Sequence, residues 1–164
     1  MIPETIPAPV GFLVKSRFLM VRRRKIPRFE EICDCLVPVY GWKEAPPYIF
    51  VSHRWLSHDL LDNELHTQSL VLQRFARRET AADHYWVDCA CLPREPGARV
   101  ALAATFAELV RRAALYLVLP FAPTPLSMVP VYDPEAYAQR GWCALEAALY
   151  LRRPRAVRLA RLAQ

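Results

Sequence analysis

The chain predicts an α/β domain, a parallel sheet flanked by helices and preceded by an N-terminal extension. Three observations point there. Short, all-apolar runs recur at residues 48–51, 85–87 and 115–119, the pattern of strands buried on both faces. Longer stretches with apolar residues on one helical face lie between and after them, at 65–78, 100–114 and 137–151. Strand and helix therefore alternate, as βαβ units do, which favours a parallel sheet.

In chain order, residues 12–21 alternate loosely enough for an edge strand. Residues 29–36 follow Pro27 and read as one short helix with Phe29, Ile32, Cys33 and Leu36 on a shared face. Pro46-Pro47 punctuates the chain, dividing an extension (1–47) from the main domain (48–164). The first buried strand, Tyr48-Ile49-Phe50-Val51, leads into Ser52-His53-Arg54-Trp55. An amphipathic helix then carries Leu65, Leu70, Leu72, Phe75 and Ala76. Tyr85-Trp86-Val87-Asp88 is the second strand, 92–97 a loop, 100–114 a helix, and 115–119 a third strand stopped by Pro120. Residues 121–134 hold Pro123, Pro125, Pro130 and Pro134, a density that predicts irregular surface backbone. The apolar Phe121, Leu126, Met128, Val129, Tyr132 and Tyr137 make that stretch either a lid over a site or a layer against the extension. A helix over 137–151 follows, and 156–159 could open a last strand. Ligands of such sheets bind beyond the carboxyl ends of the strands. That places 52–55, 88–93 and the Pro120 loop on one rim.

Composition narrows the function classes. With 164 residues and 54% hydrophobic content, the chain can bury a core and is not a disordered segment. The formal charge of +6 is uneven: eight basic against five acidic groups over 1–47, nine against eleven over 48–151, and five Arg with no acid over 152–164. A nucleic-acid binder would track its cations along a groove, so no nucleic-acid partner is expected. The Arg22-Arg23-Arg24-Lys25 run is either a solvated loop or a phosphate-facing patch. Neither GxGxxG nor GxxxxGK[ST] occurs, and no run approaches the ~18 apolar residues of a membrane span. The five Cys, four of them in the Cys-x-Cys pairs Cys33/Cys35 and Cys89/Cys91, suggest reduced thiols in a cytoplasmic protein. One intervening residue is too few for a zinc knuckle or a Cys-x-x-Cys redox motif, so no metal is expected, even with His53, His58 and His66 at hand. No GxSxG elbow supports a serine hydrolase.

Three segments together resemble Toll/interleukin-1 receptor (TIR) domains. Ile49-Phe50-Val51-Ser52-His53-Arg54-Trp55 is similar to their first strand and loop. Trp86-Val87-Asp88 with Leu92-Pro93 is similar to the second, and Arg140-Gly141-Trp142-Cys143-Ala144-Leu145-Glu146 to the Trp-Cys-x-x-Glu helix of TIR NAD+ hydrolases. The likeness spans about residues 48–150. It implies a flavodoxin-like sheet that cleaves NAD+ at the nicotinamide bond, as an NAD+ glycohydrolase or ADP-ribosyl cyclase, or that scaffolds signalling complexes. NAD+ would be substrate rather than cofactor. The resemblance also implies self-association, an activating partner and a role in immunity or defence. The chain departs from the family in the long connection between Pro120 and Trp142, in residues 1–47, and in a final strand and helix that are short or missing, as in a C-terminal truncation.

Candidate site residues follow from chemistry as well. Glu146 lies one helical turn beyond Trp142, on the same face. A carboxylate beside an indole suits N-glycoside cleavage, since it can bind ribose hydroxyls and stabilise the oxocarbenium charge while the indole stacks on a base. The bland alternative is an exposed Glu and a core Trp. Arg54 could pair with a pyrophosphate, with Ser52 or His53 donating to it. His53 could equally be a buried imidazole satisfied by backbone, and Trp55 a packing residue. Asp88 could be a turn or capping Asp, and Cys143 a small core hydrophobe.

Overall fold

A computed structural model of the protein describes residues 8–20, 25–53, 55, 62, 66–119, 121–124 and 127–152. Five strands form a mixed sheet: β1 (Gly11–Lys15), β2 (Val37–Val39), β3 (Tyr48–His53), β4 (His84–Trp86) and β5 (Leu115–Leu119), in the order β2-β1-β4-β3-β5. The three strands after Pro47 are parallel, β3 lying between β4 and β5. The two earlier strands add an antiparallel flank, β1 pairing with both β4 and β2. The α/β class with flanking helices is present, and the parallel ladder is its core rather than its whole.

β1 is not the expected edge strand. Leu13 and Val14 point to opposite faces and both are fully buried, so β1 is covered on each face and paired along each side. It also stops earlier than expected. The Ser16 amide donates to the Asp83 carbonyl at 2.8 Å and its hydroxyl to the Asp83 carboxylate, and the chain turns into α1 (Ser16–Met20). Gly11 is required by close approach, because a Cβ there would stand 2.5 Å from Cζ2 of the buried Trp42.

All six residues of β3 are buried. Period-two alternation sends Tyr48, Phe50 and Ser52 to one face and Ile49, Val51 and His53 to the other. On the first face Phe50 is stacked between its registered neighbours Trp86 (4.8 Å) and Tyr116 (5.6 Å). Tyr116 in turn stacks on Tyr150 of α7 (Gly141–Leu151) at 5.0 Å, and Phe106 of α5 (Pro96–Arg112) meets Phe50 edge-on. Helices α5 and α7 therefore cover this face, and the ring stack fixes α7 over the end of β3. Elsewhere α3 (Thr67–Ala76) packs against β5 and α1.

Other elements depart locally from the periodicity. Residues 29–36 divide into α2 (Phe29–Ile32) and a 3-10 turn (Cys33–Cys35), with Ile32 and Leu36 buried. Asp88 opens the short helix α4 (Asp88–Cys91), and α5 begins at Pro96, a residue suited to a first helical turn. The stretch expected to be irregular contains a hairpin, β6 (Phe121–Thr124) with β7 (Ser127–Tyr132). Proline tolerates this because the register shifts between Ala122 and Thr124, leaving Pro123 at the irregularity, and a two-stranded ribbon consists of edges alone. The helix expected over 137–151 is two: α6 (Pro134–Ala138) and α7, separated where Arg140 is extended. The strand at 156–159, Leu65, Arg22 to Arg24 and the tail after Arg152 lie outside the described residues, whereas Lys25 pairs with Glu31 at 3.1 Å. Among the described residues no helix is long and apolar enough to cross a membrane.

Candidate functional site

The carboxyl end of β3 delivers two adjacent side chains into two different settings. Ser52 faces α6 and α7. Its hydroxyl hydrogen-bonds the Glu146 carboxylate and the Tyr137 hydroxyl, and Tyr137 reaches the Tyr116 hydroxyl at 3.2 Å. Four elements thus contribute: Ser52 from β3, Tyr116 from β5, Tyr137 from α6 and Glu146 from α7. Ser52, Tyr116, Tyr137 and Glu146 are all buried. Desolvation pushes the Glu146 carboxyl up to about 7, with Asp88 adding in the same direction, against the stabilising Ser52 hydrogen bond, His53 and the Trp142 indole. Burial likewise pushes the Tyr116 and Tyr137 phenols up, so both stay protonated donors at neutral pH.

His53 sits on the opposite face. Its Nε2 meets Asp88 Oδ1 at 2.6 Å; Trp55 Nε1 donates to Asp88 Oδ2 at 2.8 Å, and the Cys89 amide donates to Oδ1 at 2.6 Å. Burial would raise Asp88, but the imidazole and these donors outweigh it and hold the carboxyl below its ordinary value. Burial would lower His53, but Asp88 outweighs it, and Glu146 adds to the rise. Among the described residues the buried His53 Nδ1 has no hydrogen-bond partner, and the imidazole is held by the Asp88 side chain on its other nitrogen.

The fold therefore brings Ser52, His53, Trp55, Asp88, Trp142 and Glu146 to one end of the parallel strands. Arg54 lies outside the described residues. The bland arrangement of exposed Glu and core Trp is inverted: Glu146 is 5% exposed, whereas Trp142 is 56% exposed with its ring 4.7 Å from Phe106. Trp55 is fixed by its hydrogen bond to Asp88. Asp88 is the first residue of α4 and not its cap, which is Val87, and its carboxylate is engaged by a histidine and an indole. Cys143 is a buried thiol, as expected of a small core residue.

The sequence marks Tyr137 only as one of the apolar residues of the expected lid or layer, and Tyr116 only as part of the third strand. Neither is expected from it to hydrogen-bond in the site, and Tyr116 enters through its register with Phe50, two residues before Ser52 on the same face. Among the described residues no cluster of three or more His, Cys, Asp or Glu could hold a metal ion. A small cavity of about 50 Å³ lies away from Glu146, bordered by Val10, Gly11, Trp86, Leu92 and Leu102. It is far below the size of a nucleotide pocket. Comparison with protein-family models, curated proteins and solved structures finds no match.

Proposed function

We propose that the chain is a TIR-like NAD+ glycohydrolase or ADP-ribosyl cyclase acting as a signalling or defence effector, with Glu146 as its catalytic carboxylate. The observation that supports this reading best is Glu146 itself: a buried carboxyl, pushed up to about 7, one helical turn from a half-exposed indole at the carboxyl end of a parallel strand. Perturbed carboxyls in such positions are candidates for catalysis. In this reading the nicotinamide–ribose bond breaks with its electron pair leaving on neutral nicotinamide. Ionised Glu146 holds a ribose hydroxyl and offsets the oxocarbenium charge. Water, or a nitrogen of the same nucleotide, then adds to the sugar carbon and loses its proton to Glu146 or solvent. Trp142 offers a stacking face, and Arg54 would take the pyrophosphate. Glu146→Gln tests the assignment: nicotinamide release should be lost, and full turnover by the purified variant would overturn it.

A second reading is a self-associating TIR-like scaffold, or a module that binds a nucleotide signal without cleaving it. What favours it is α7, which buries Cys143, Glu146 and Tyr150 and leaves Trp142, Leu145 and Leu151 exposed. Incubation with NAD+ over a wide range of protein concentration separates the two. Oligomers without nicotinamide at any concentration would favour the scaffold.

A further inference from the structure

Glu146 does not end in a single hydrogen bond. It is the acceptor at the end of a run of hydroxyls that crosses from β5 to α6 to β3: Tyr116 to Tyr137 to Ser52 to the carboxylate. Each hydroxyl carries one proton, so each can donate once along the run. With Glu146 ionised, the only arrangement that satisfies every link has Tyr116 donating to Tyr137, Tyr137 to Ser52, and Ser52 to Glu146 Oε2. With Glu146 protonated, the carboxyl can itself donate toward Ser52, and the one direction that the ionised form imposes on the run is lost. Donors aligned in series polarise one another and strengthen the terminal bond.

We propose that Ser52 and Tyr137 are positioning residues that keep Glu146 ionised and aimed, so that the seating of α6 against β3 sets the protonation state of the carboxylate on α7. The proposal rests on Glu146 being the working group of the proposed reaction, but its test does not need the reaction. Other groups that face Glu146 are His53 on β3, Asp88 on α4, and Cys143 and Trp142 on its own helix. His53 and Trp142 favour the ionised form and Asp88 opposes it from outside the hydroxyl run, whereas the Cys143 thiol adjoins Tyr137 and Ser52 within it. Tyr137 is reached only through tertiary structure: α6 lies against β6, so the hairpin that precedes α6 is mechanically connected to the carboxylate.

The experiment is a titration of the Glu146 carboxyl in the full chain, by NMR of carboxyl-labelled glutamate, with the signal assigned by its loss in Glu146→Gln. Removing a donor from a charged group costs roughly one to two pKa units. Ser52→Ala, which removes a direct donor, should raise the midpoint by about one unit, and Tyr137→Phe, which acts through Ser52, should raise it by less. Tyr85→Phe is the control: it deletes a buried hydroxyl that has no hydrogen-bond partner among the described residues and should leave the midpoint where it is. A network that merely fastens α6 and α7 to the sheet predicts lower melting temperatures with no movement of the midpoint, and that result overturns the proposal. If Tyr137→Phe does not fold, Tyr116→Phe gives the same decision with a smaller shift, and an unmoved midpoint there is likewise fatal. A moved midpoint in a protein that never releases nicotinamide from NAD+ would keep the relay and discard the hydrolase.

Discussion

Two carboxylates stand at the same end of the sheet, and their surroundings drive them apart. Asp88 has a histidine, an indole N–H and a backbone amide, and is held below its ordinary value. Glu146 has a serine hydroxyl, the Trp142 indole and the more distant His53, which burial outweighs, and it rises to about 7. The divergence begins with strand geometry, since consecutive residues Ser52 and His53 must leave β3 on opposite faces. One face offers hydroxyls, the other an imidazole. Two acids tuned in opposite directions within one site are the usual sign of divided roles, one structural or electrostatic and one poised to change its proton near neutrality.

The platform beneath the comparison can be broken first. Phe50 is fully buried between Trp86 and Tyr116, and Tyr116 begins the hydroxyl run. Phe50→Ala should cost about 3–5 kcal/mol in a denaturant titration. Because it removes the support of Tyr116, the Glu146 midpoint should shift even in the surviving folded fraction.

Asp88→Asn attacks the other side. Asp88 is lowered, so its contribution is present above its ordinary value of 3.8 and is lost as pH falls through the folded value. His53 is raised, so its contribution is present below 6.5 and is lost as pH rises through its folded value. Both are in force between roughly pH 4 and 6.5, where the variant should lose most, about 1–2 kcal/mol given that the Asp88 side chain keeps 34% of its exposure. Above pH 8 the loss should shrink. An equal loss at pH 5 and pH 9 would show that charge pairing is not what holds the pair.

Trp142→Ala is the smallest perturbation to the fold. The indole is more than half exposed and rests on Phe106, so stability should fall by less than about 1 kcal/mol. If it stacks on a substrate ring, turnover of NAD+ should drop by about tenfold or more, since such stacking is worth about 1–3 kcal/mol.

These contrasts were partly legible in the sequence. The three apolar runs after Pro47 are strands because a doubly buried strand needs apolar side chains on both faces, which leaves a local signature. The spacing of Trp142 and Glu146 and the rim position of Ser52 and His53 could likewise be read from periodicity. What could not be read depends on partners distant in the chain. β1 looked like an edge strand because its place between β2 and β4 is set by pairing with residues about 25 and 70 positions away. The hairpin was hidden by its prolines, whose cost disappears at a register shift. Tyr137 belongs to the site through Ser52, 85 residues earlier, and Tyr116, 21 residues earlier.

Glu146 is buried at a cost to the fold. A raised carboxyl binds more protons in the folded than in the unfolded chain, so the stability that it contributes at low pH is lost as pH rises from about 4.5 through about 7. The penalty at pH 8 is on the order of 3 kcal/mol. The decisive measurement is the melting temperature of Glu146→Gln against wild type from pH 5 to pH 8, with nicotinamide release followed on the same samples. The variant is expected to melt higher at pH 8, to approach wild type toward pH 5, and to release no nicotinamide. A variant that melts lower at every pH and still cleaves NAD+ at the wild-type rate would contradict this expectation.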